Sequence, residues 1–181
     1  MSNLWFTSDT HWQHNRVQAF CPDTRFQGSL EEHDEMLIEA WNSRVKPGDR
    51  IYHLGDVAFG SSDHTESVLS RLNGHIHLIY GNHDAKLSSA RFARYFESRD
   101  SYKTIRVDGI KVVMFHFPIA EWDQCHRGAF HLFGHVHASY GTVGGRSLNV
   151  GIDNRPGADM APWSWDEVKA VLEPLPPISH H

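Results

Sequence analysis

An α/β fold with a parallel sheet in its first half is what this sequence predicts, and three observations predict it. Short apolar runs alternate with amphipathic, capped segments between residues 4 and 80, in the order strand, helix, strand, helix, strand. Beyond residue 100 the pattern changes to short strands separated by glycine turns. No repeat, low-complexity tract or linker interrupts the 181 residues, a length that one core serves. The expectation is a single domain over residues 1–175 and a disordered tail over 176–181, where His180 and His181 follow Pro174, Pro176 and Pro177.

Leu4 to Ser8 is an apolar run that ends in Asp9-Thr10-His11, as a buried strand feeding a polar loop would. Ser29 with Glu32 forms a capping-box signature, and Leu30, Leu37, Ile38 and Trp41 recur at helical spacing up to Val45. Pro47-Gly48 stops that helix. Arg50 to Leu54 reads as the second strand, cut off by Gly55-Asp56. A helix over Thr65–Leu72, closed by Asn73-Gly74, leads to a third strand from His75 to Tyr80. A helix is expected at Ser89–Phe96. Strands are expected at Tyr102–Val107, Ile110–His116, Ala129–Phe133 and Ser147–Ile152, the first two joined by an Asp108-Gly109 hairpin turn. A second capping box, Ser164 with Glu167, starts the last helix.

Composition narrows the function. A net charge of −5 argues against a protein that grips duplex DNA by neutralising many phosphates. Cys21 and Cys125 form no CxxC pair, as expected of free thiols in a reducing cytosol. The first residues lack a signal peptide's basic and apolar regions, and no apolar run reaches the ~20 residues of a membrane span. A cytoplasmic location and no membrane partner are expected. The abnormal number is 15 histidines, several of them beside Asp, Asn or Gly.

Four polar clusters directly follow apolar strands: Asp9-Thr10-His11, Gly55-Asp56, Gly81-Asn82-His83-Asp84 and Gly134-His135-Val136-His137; His116 ends a fifth strand. In an open α/β sheet the strand carboxyl ends gather at one edge, where ligands bind. Asp9 and His11, like His135 and His137, are two apart, so extended backbone would aim each pair at one point. A lone histidine at a strand end is usually a surface side chain, and a lone Gly-Asp or Gly-Asn usually a turn. The joint occurrence of all the clusters, in this order, argues for a metal site. Mixed carboxylate, imidazole and amide ligands suit Mn, Fe, Zn or Ni.

The pattern D-x-H, G-D, G-N-H-D, H, G-H-x-H over residues 9–137 resembles the calcineurin-like metallophosphoesterase superfamily. The strings Ser8–Asn15 and Tyr52–Ala58 are similar to a small bacterial and phage branch of it. The resemblance implies a four-layer α/β/β/α sandwich, two mixed sheets with helices outside and the metals at one end. It implies Asp9, His11 and His137 on one divalent metal, Asn82, His116 and His135 on the other, and Asp56 bridging both, with Mn²⁺ the first choice. It also implies attack on a phosphodiester or phosphomonoester by a hydroxide that bridges the metals. His83 would donate the proton to the leaving oxygen, and Asp84 would orient its ring.

Substrate contacts are expected from His14 and Asn15, close behind the first metal loop. Trp122 and Arg127 are candidates too, in the segment after His116 that would rim the site. The substrate expected is a small phosphate ester, of nucleotide type or a nucleic-acid end. A single-strand nuclease, a protein phosphatase and a non-catalytic metal-binding scaffold are the alternatives; the complete ligand set and His83 count against the scaffold. Neither the oligomeric state nor the leaving group is legible.

Overall fold

Strands this short and this apolar must be covered on both faces, which favours parallel pairing with helices against the sheet. The computed structural model, which describes residues 2–179, builds the first half that way. In chain order come β1 (Leu4–Thr7), α1 (Val17–Phe20), α2 (Leu30–Arg44), β2 (Arg50–His53), α3 (Ser62–Leu69), β3 (His75–Ile79) and β4 (Ser98–Asp100). A second sheet follows, from β5 (Tyr102–Val107), β6 (Ile110–Phe115), β7 (Phe130–Phe133) and β8 (Ser147–Asn149). The chain then returns to the first sheet as β9 (Trp163–Ser164) and continues into α4 (Trp165–Leu172). The strand orders are β4-β3-β2-β1-β9 and β5-β6-β7-β8. Both sheets are mixed: β9 is antiparallel to β1 and β5 to β6, while the other pairs are parallel.

Local chemistry accounts for the element ends. Both capping boxes form: Ser29 and Ser164 accept the N–H groups of Glu32 and Glu167, whose carboxylates bond back to the cap residues. Asp108 and Gly109 take positive φ, as a tight hairpin turn requires. The helix expected from Thr65 begins earlier, because Ser61 caps it by accepting the His64 N–H. Where a helix was expected at Ser89–Phe96, two 3-10 turns occur instead, with Ser89 in extended conformation between them. β4 and β9 went unread: at three and two residues, neither is long enough to show a period.

Two apolar layers organise the packing. One lies on the outer face of the first sheet, where Leu37, Ile38 and Trp41 of α2 and Val68 and Leu69 of α3 meet Ile51, Ile76 and Leu78. The other fills the space between the sheets, with Phe6, Tyr52, Leu54 and Ile79 against Val112, Met114, Phe130 and Leu132. Trp165, Val168 and Leu172 of α4 join this second layer. The outer face of the second sheet is covered differently, by the segment between β6 and β7. Trp122, Cys125 and Ala129 pack there on Val113, and Ile178 lies against them. Residues 176–179 thus carry no regular element, yet Ile178 packs; His180 and His181 lie outside the described residues.

His131 pins that covering segment. Its Nδ1 donates to the Val113 carbonyl (3.1 Å) and its Nε2 accepts the Ile119 N–H (3.1 Å). Burial pushes the imidazole down to about 4. His53 on β2, buried between Trp12 and Trp41, is pushed down to about 3 by burial. Both fold as neutral rings, whereas the unfolded chain protonates them near the ordinary pKa of 6.5. The unfolded state therefore binds more protons between the two values, and stability rises with pH there. It is complete above pH 6.5 and falls as the pH drops towards 4 and then 3. His131 alone should account for on the order of 3 kcal/mol of acid loss. Urea unfolding of the wild type and His131→Gln at pH 7.5, 6 and 5 reads this. An equal loss in both chains would show that His131 carries none of it.

Candidate metal centre

Parallel register brings the polar clusters to one edge. Thr7 pairs with His53 and His53 with Leu78, so the loops after β1, β2 and β3 leave side by side. Val113 pairs with His131 and Phe133 with Asn149, so the loops after β6, β7 and β8 leave together too. An isolated bridge from Ser8 to Gly151 joins the two sets.

Two groups of ligand atoms are built from the motif residues, and a third, Cys21, His137 and Asp153, shares His137 with the first. Asp9, His11 and His137 place one ligand atom each within 4.8 Å of one another, and so do Asp56, His116 and His135. Asp56 lies between the groups, its Oδ2 3.6 Å from both His11 Nε2 and His116 Nε2. Asn82 completes the second group, with Oδ1 3.1 Å from His116 Nε2. His116 donates its Nδ1–H to the Leu54 carbonyl (2.7 Å), which turns Nε2 towards the oxygens of Asn82 and Asp56. Such convergence of lone pairs suits a cation.

His11 makes the same point more sharply. It is 4 % exposed, and neither ring nitrogen has a hydrogen-bond partner. Burial holds its imidazole below the ordinary range, so the ring is neutral and its lone pair available. An orphaned, neutral imidazole 3.7 Å from the Asp9 carboxylate and 3.6 Å from that of Asp56 fits a divalent cation.

The backbone meets these demands in an uncommon way. Asp9, His11, Asp56, His135 and His137 all have φ between 48° and 71°. The extended backbone expected for the two i, i+2 pairs is therefore absent; each ligand sits in the left-handed region. Such conformations cost of order 1–3 kcal/mol each and persist where the surroundings over-determine them. Neighbouring glycines supply room: a Cβ on Gly81 would run into the Asp56 carboxylate, and one on Gly134 into Ser8 Oγ and the Asp9 carboxylate.

Arg25 and Asp153, which the sequence did not single out, hold the first group from behind. Asp153 accepts His137 Nδ1–H (2.7 Å) and two bonds from Arg25 (2.6 Å each), and Arg25 also reaches the carbonyls of Asp9 (2.6 Å) and Thr10 (2.9 Å). Both charged side chains are fully buried. Burial alone would pull His137 down, but Asp153, Cys21 and Asp9 outweigh it and hold the ring at about 10. A cation entering there displaces that proton, so binding is tied to pH. Asp153→Asn should weaken cation binding at Asp9, His11 and His137 by about 10–100-fold and spare the other group. Calorimetric titration with Mn²⁺ reads both affinities; two unchanged affinities would leave Asp153 with a role in folding alone.

Asp84 does not do what was expected of it. Its carboxylate accepts the backbone N–H groups of Asp56 (2.7 Å), Val57 (2.9 Å) and Gly81 (2.8 Å), tying two ligand loops together, and it does not orient the His83 ring. His83 stands half-exposed, its Nε2 4.0 Å from Asp56 Oδ2 and its ring 4.5 Å from Phe59. His14 is close by, 5.4 Å from the His11 ring, and Asn15 is exposed in the turn before α1.

Trp122 and Arg127 are not at the site. Trp122 is 5 % exposed and donates its indole N–H to the Ala129 carbonyl (2.9 Å), within the cover over the second sheet. Arg127 is exposed three residues before β7, at the strand ends opposite to His116 and His135. The parallel pairing of β6 and β7 is the cause, since the connection must travel back along the sheet.

Known proteins place this arrangement in context. The model of the calcineurin-like phosphoesterase superfamily domain matches residues 3–151. The gene 66 protein of Mycobacterium phage L5 is 30 % identical, over 84 % of this chain and 87 % of its own. An uncharacterised protein of Methanocaldococcus jannaschii is 29 % identical, over 77 % and 72 %. The fold is similar to the crystal structure of a protein of unknown function from Aquifex aeolicus, with a TM-score of 0.73 and 24 % identity, over 95 % of this chain and all of that one.

Proposed function

The chain belongs to the calcineurin-like phosphoesterase superfamily, and from that premise we propose that it hydrolyses phosphoester bonds with two divalent cations. Asp9, His11 and His137 would hold one, Asn82, His116 and His135 the other, and Asp56 both. Mn²⁺ is the first choice, with Fe, Zn or Ni compatible with the same donors. The observation that carries the reading is Asp56 Oδ2, equidistant at 3.6 Å from a histidine of each group. When bound, such a pair lowers the pKa of water and neutralises phosphoryl charge.

The chain's own residues supply the rest. Hydrogen bonds to Asp84 and from Arg25 tie the ligand loops together, so little reorganisation of the donors is needed when a phosphate arrives. His83 has its backbone N–H on Asp56 Oδ1 (3.0 Å) and its ring free towards solvent, the position of a proton donor to the departing oxygen. No serine or cysteine nucleophile is called for.

The substrate proposed is a small mono- or diester of nucleotide type. Among the described residues, exposed aromatics surround the ligands: Phe59 against His11, His14 and His83, and Phe117 against His116 and His135. Rings beside a phosphate site suit a planar group. The reading is tested by stripping the protein with chelator, adding back Mn²⁺, and assaying bis-p-nitrophenyl phosphate, p-nitrophenyl phosphate and 2′,3′-cyclic nucleotides. Hydrolysis restored by the metal supports it. A chain that binds Mn²⁺ but hydrolyses none of them acts as a scaffold. Among the described residues no helix is long and apolar enough to cross a membrane.

A further inference from the structure

Beside the metal ligands a cavity of about 500 Å³ opens between the end of α1 and the loop after β7. It shares His135 and His137 with the two ligand groups and is walled by Phe20, Val136, Ser139 and Tyr140. Phe20 is 59 % and Tyr140 43 % exposed, although both are large rings in a protein that buries most of its aromatics. Each ring has a neighbour on the protein: the Arg16 guanidinium lies 4.9 Å from the Phe20 ring centre, and the Tyr140 ring lies 6.4 Å from that of Phe133. Two open rings, in a lining that also carries the hydroxyl-bearing residues Ser139 and Tyr140, suit a flat ligand with polar edges. A hydrocarbon would leave the hydroxyls unpaired, and the cavity is too small for a protein surface.

We propose that this cavity takes the base of a nucleoside ester whose phosphate lies at the metal ligands. The proposal rests on the phosphoesterase reading and adds to it where the organic part of the substrate goes. It places Phe20 and Tyr140 as stacking walls, with Ser139 offering a hydroxyl to the base edge.

The test compares two esters with one leaving group, thymidine 5′-(p-nitrophenyl phosphate) and methyl p-nitrophenyl phosphate, using the Mn²⁺-loaded protein. The wild type should prefer the thymidine ester, mainly through KM. Phe20→Ala with Tyr140→Ala should cut that preference by about tenfold or more, and Phe20→Trp should keep it. Both replaced rings are exposed, so their loss opens no hole in the core. Equal kcat/KM for the two esters in the wild type, or an unchanged ratio in the double variant, overturns the proposal. If neither ester is hydrolysed, calorimetry with thymidine 5′-monophosphate decides the cavity by itself, and the phosphoesterase reading stands or falls on the monoester and cyclic-ester assays. Binding that the double variant loses supports it; equal or absent binding overturns it.

Discussion

Asp56→Asn should lose both cations and nearly all activity. Asp56 is 2 % exposed, and among the described residues its Oδ2 is the carboxylate oxygen that lies within 4.0 Å of His11, His83 and His116 together. Asparagine keeps the shape and can still accept the His83 N–H, but it removes the charge that the two ligand groups share. A bound divalent cation is worth several kcal/mol in the transition state; losing the pair should cost on the order of 10³-fold in rate or more. The metal-free fold should survive, because an unpaired buried carboxylate is itself costly and the amide relieves it. The expected signature is therefore a metal-free Tm close to that of the wild type, with the Mn²⁺-induced rise in Tm gone. Elemental analysis should fall from two metals per chain to fewer than one. A variant that still holds two metals and turns over at the wild-type rate would sink the shared-carboxylate reading.

The same physics decides how much of the site could be read in advance. Asp9, Asp56, Asn82, His116, His135 and His137 each follow an apolar strand, and parallel pairing is enough to bring such positions to one edge. That step needs only strand order. The left-handed backbone at five of the ligands left no trace in the sequence beyond the neighbouring glycines. Arg25 and Asp153 are 128 residues apart and belong to no motif; their pairing is a property of the folded chain. Asp84 shows a different limit: adjacency to His83 suggested a partner for its ring, but the carboxylate turns inward, where three backbone N–H groups need an acceptor. Trp122 and Arg127 were misplaced because β6 and β7 were read without a direction. A parallel pair obliges the connection to leave the metal edge, and Trp122 is then the residue that covers Val113.

His83→Ala should separate proton transfer from metal binding. The ring is half-exposed, its Nε2 is 4.0 Å from Asp56, and it completes neither group of ligand atoms, so both cations should remain. The anchoring contact to Asp56 runs through the backbone N–H of residue 83, which alanine retains. What disappears is a proton donor at the mouth of the site. General acid catalysis contributes typically ~10²–10⁴-fold, and its share grows as the leaving group becomes more basic. Alkyl esters should therefore lose rate by about that factor, whereas p-nitrophenyl esters, whose leaving group departs as a stable anion, should lose little. A plot of log kcat against leaving-group pKa should be steeper for the variant than for the wild type. Equal losses across the series, with both metals retained, would assign His83 to phosphoryl charge and leave the proton to water. Loss of a metal would make it a ligand, against the geometry of the two groups.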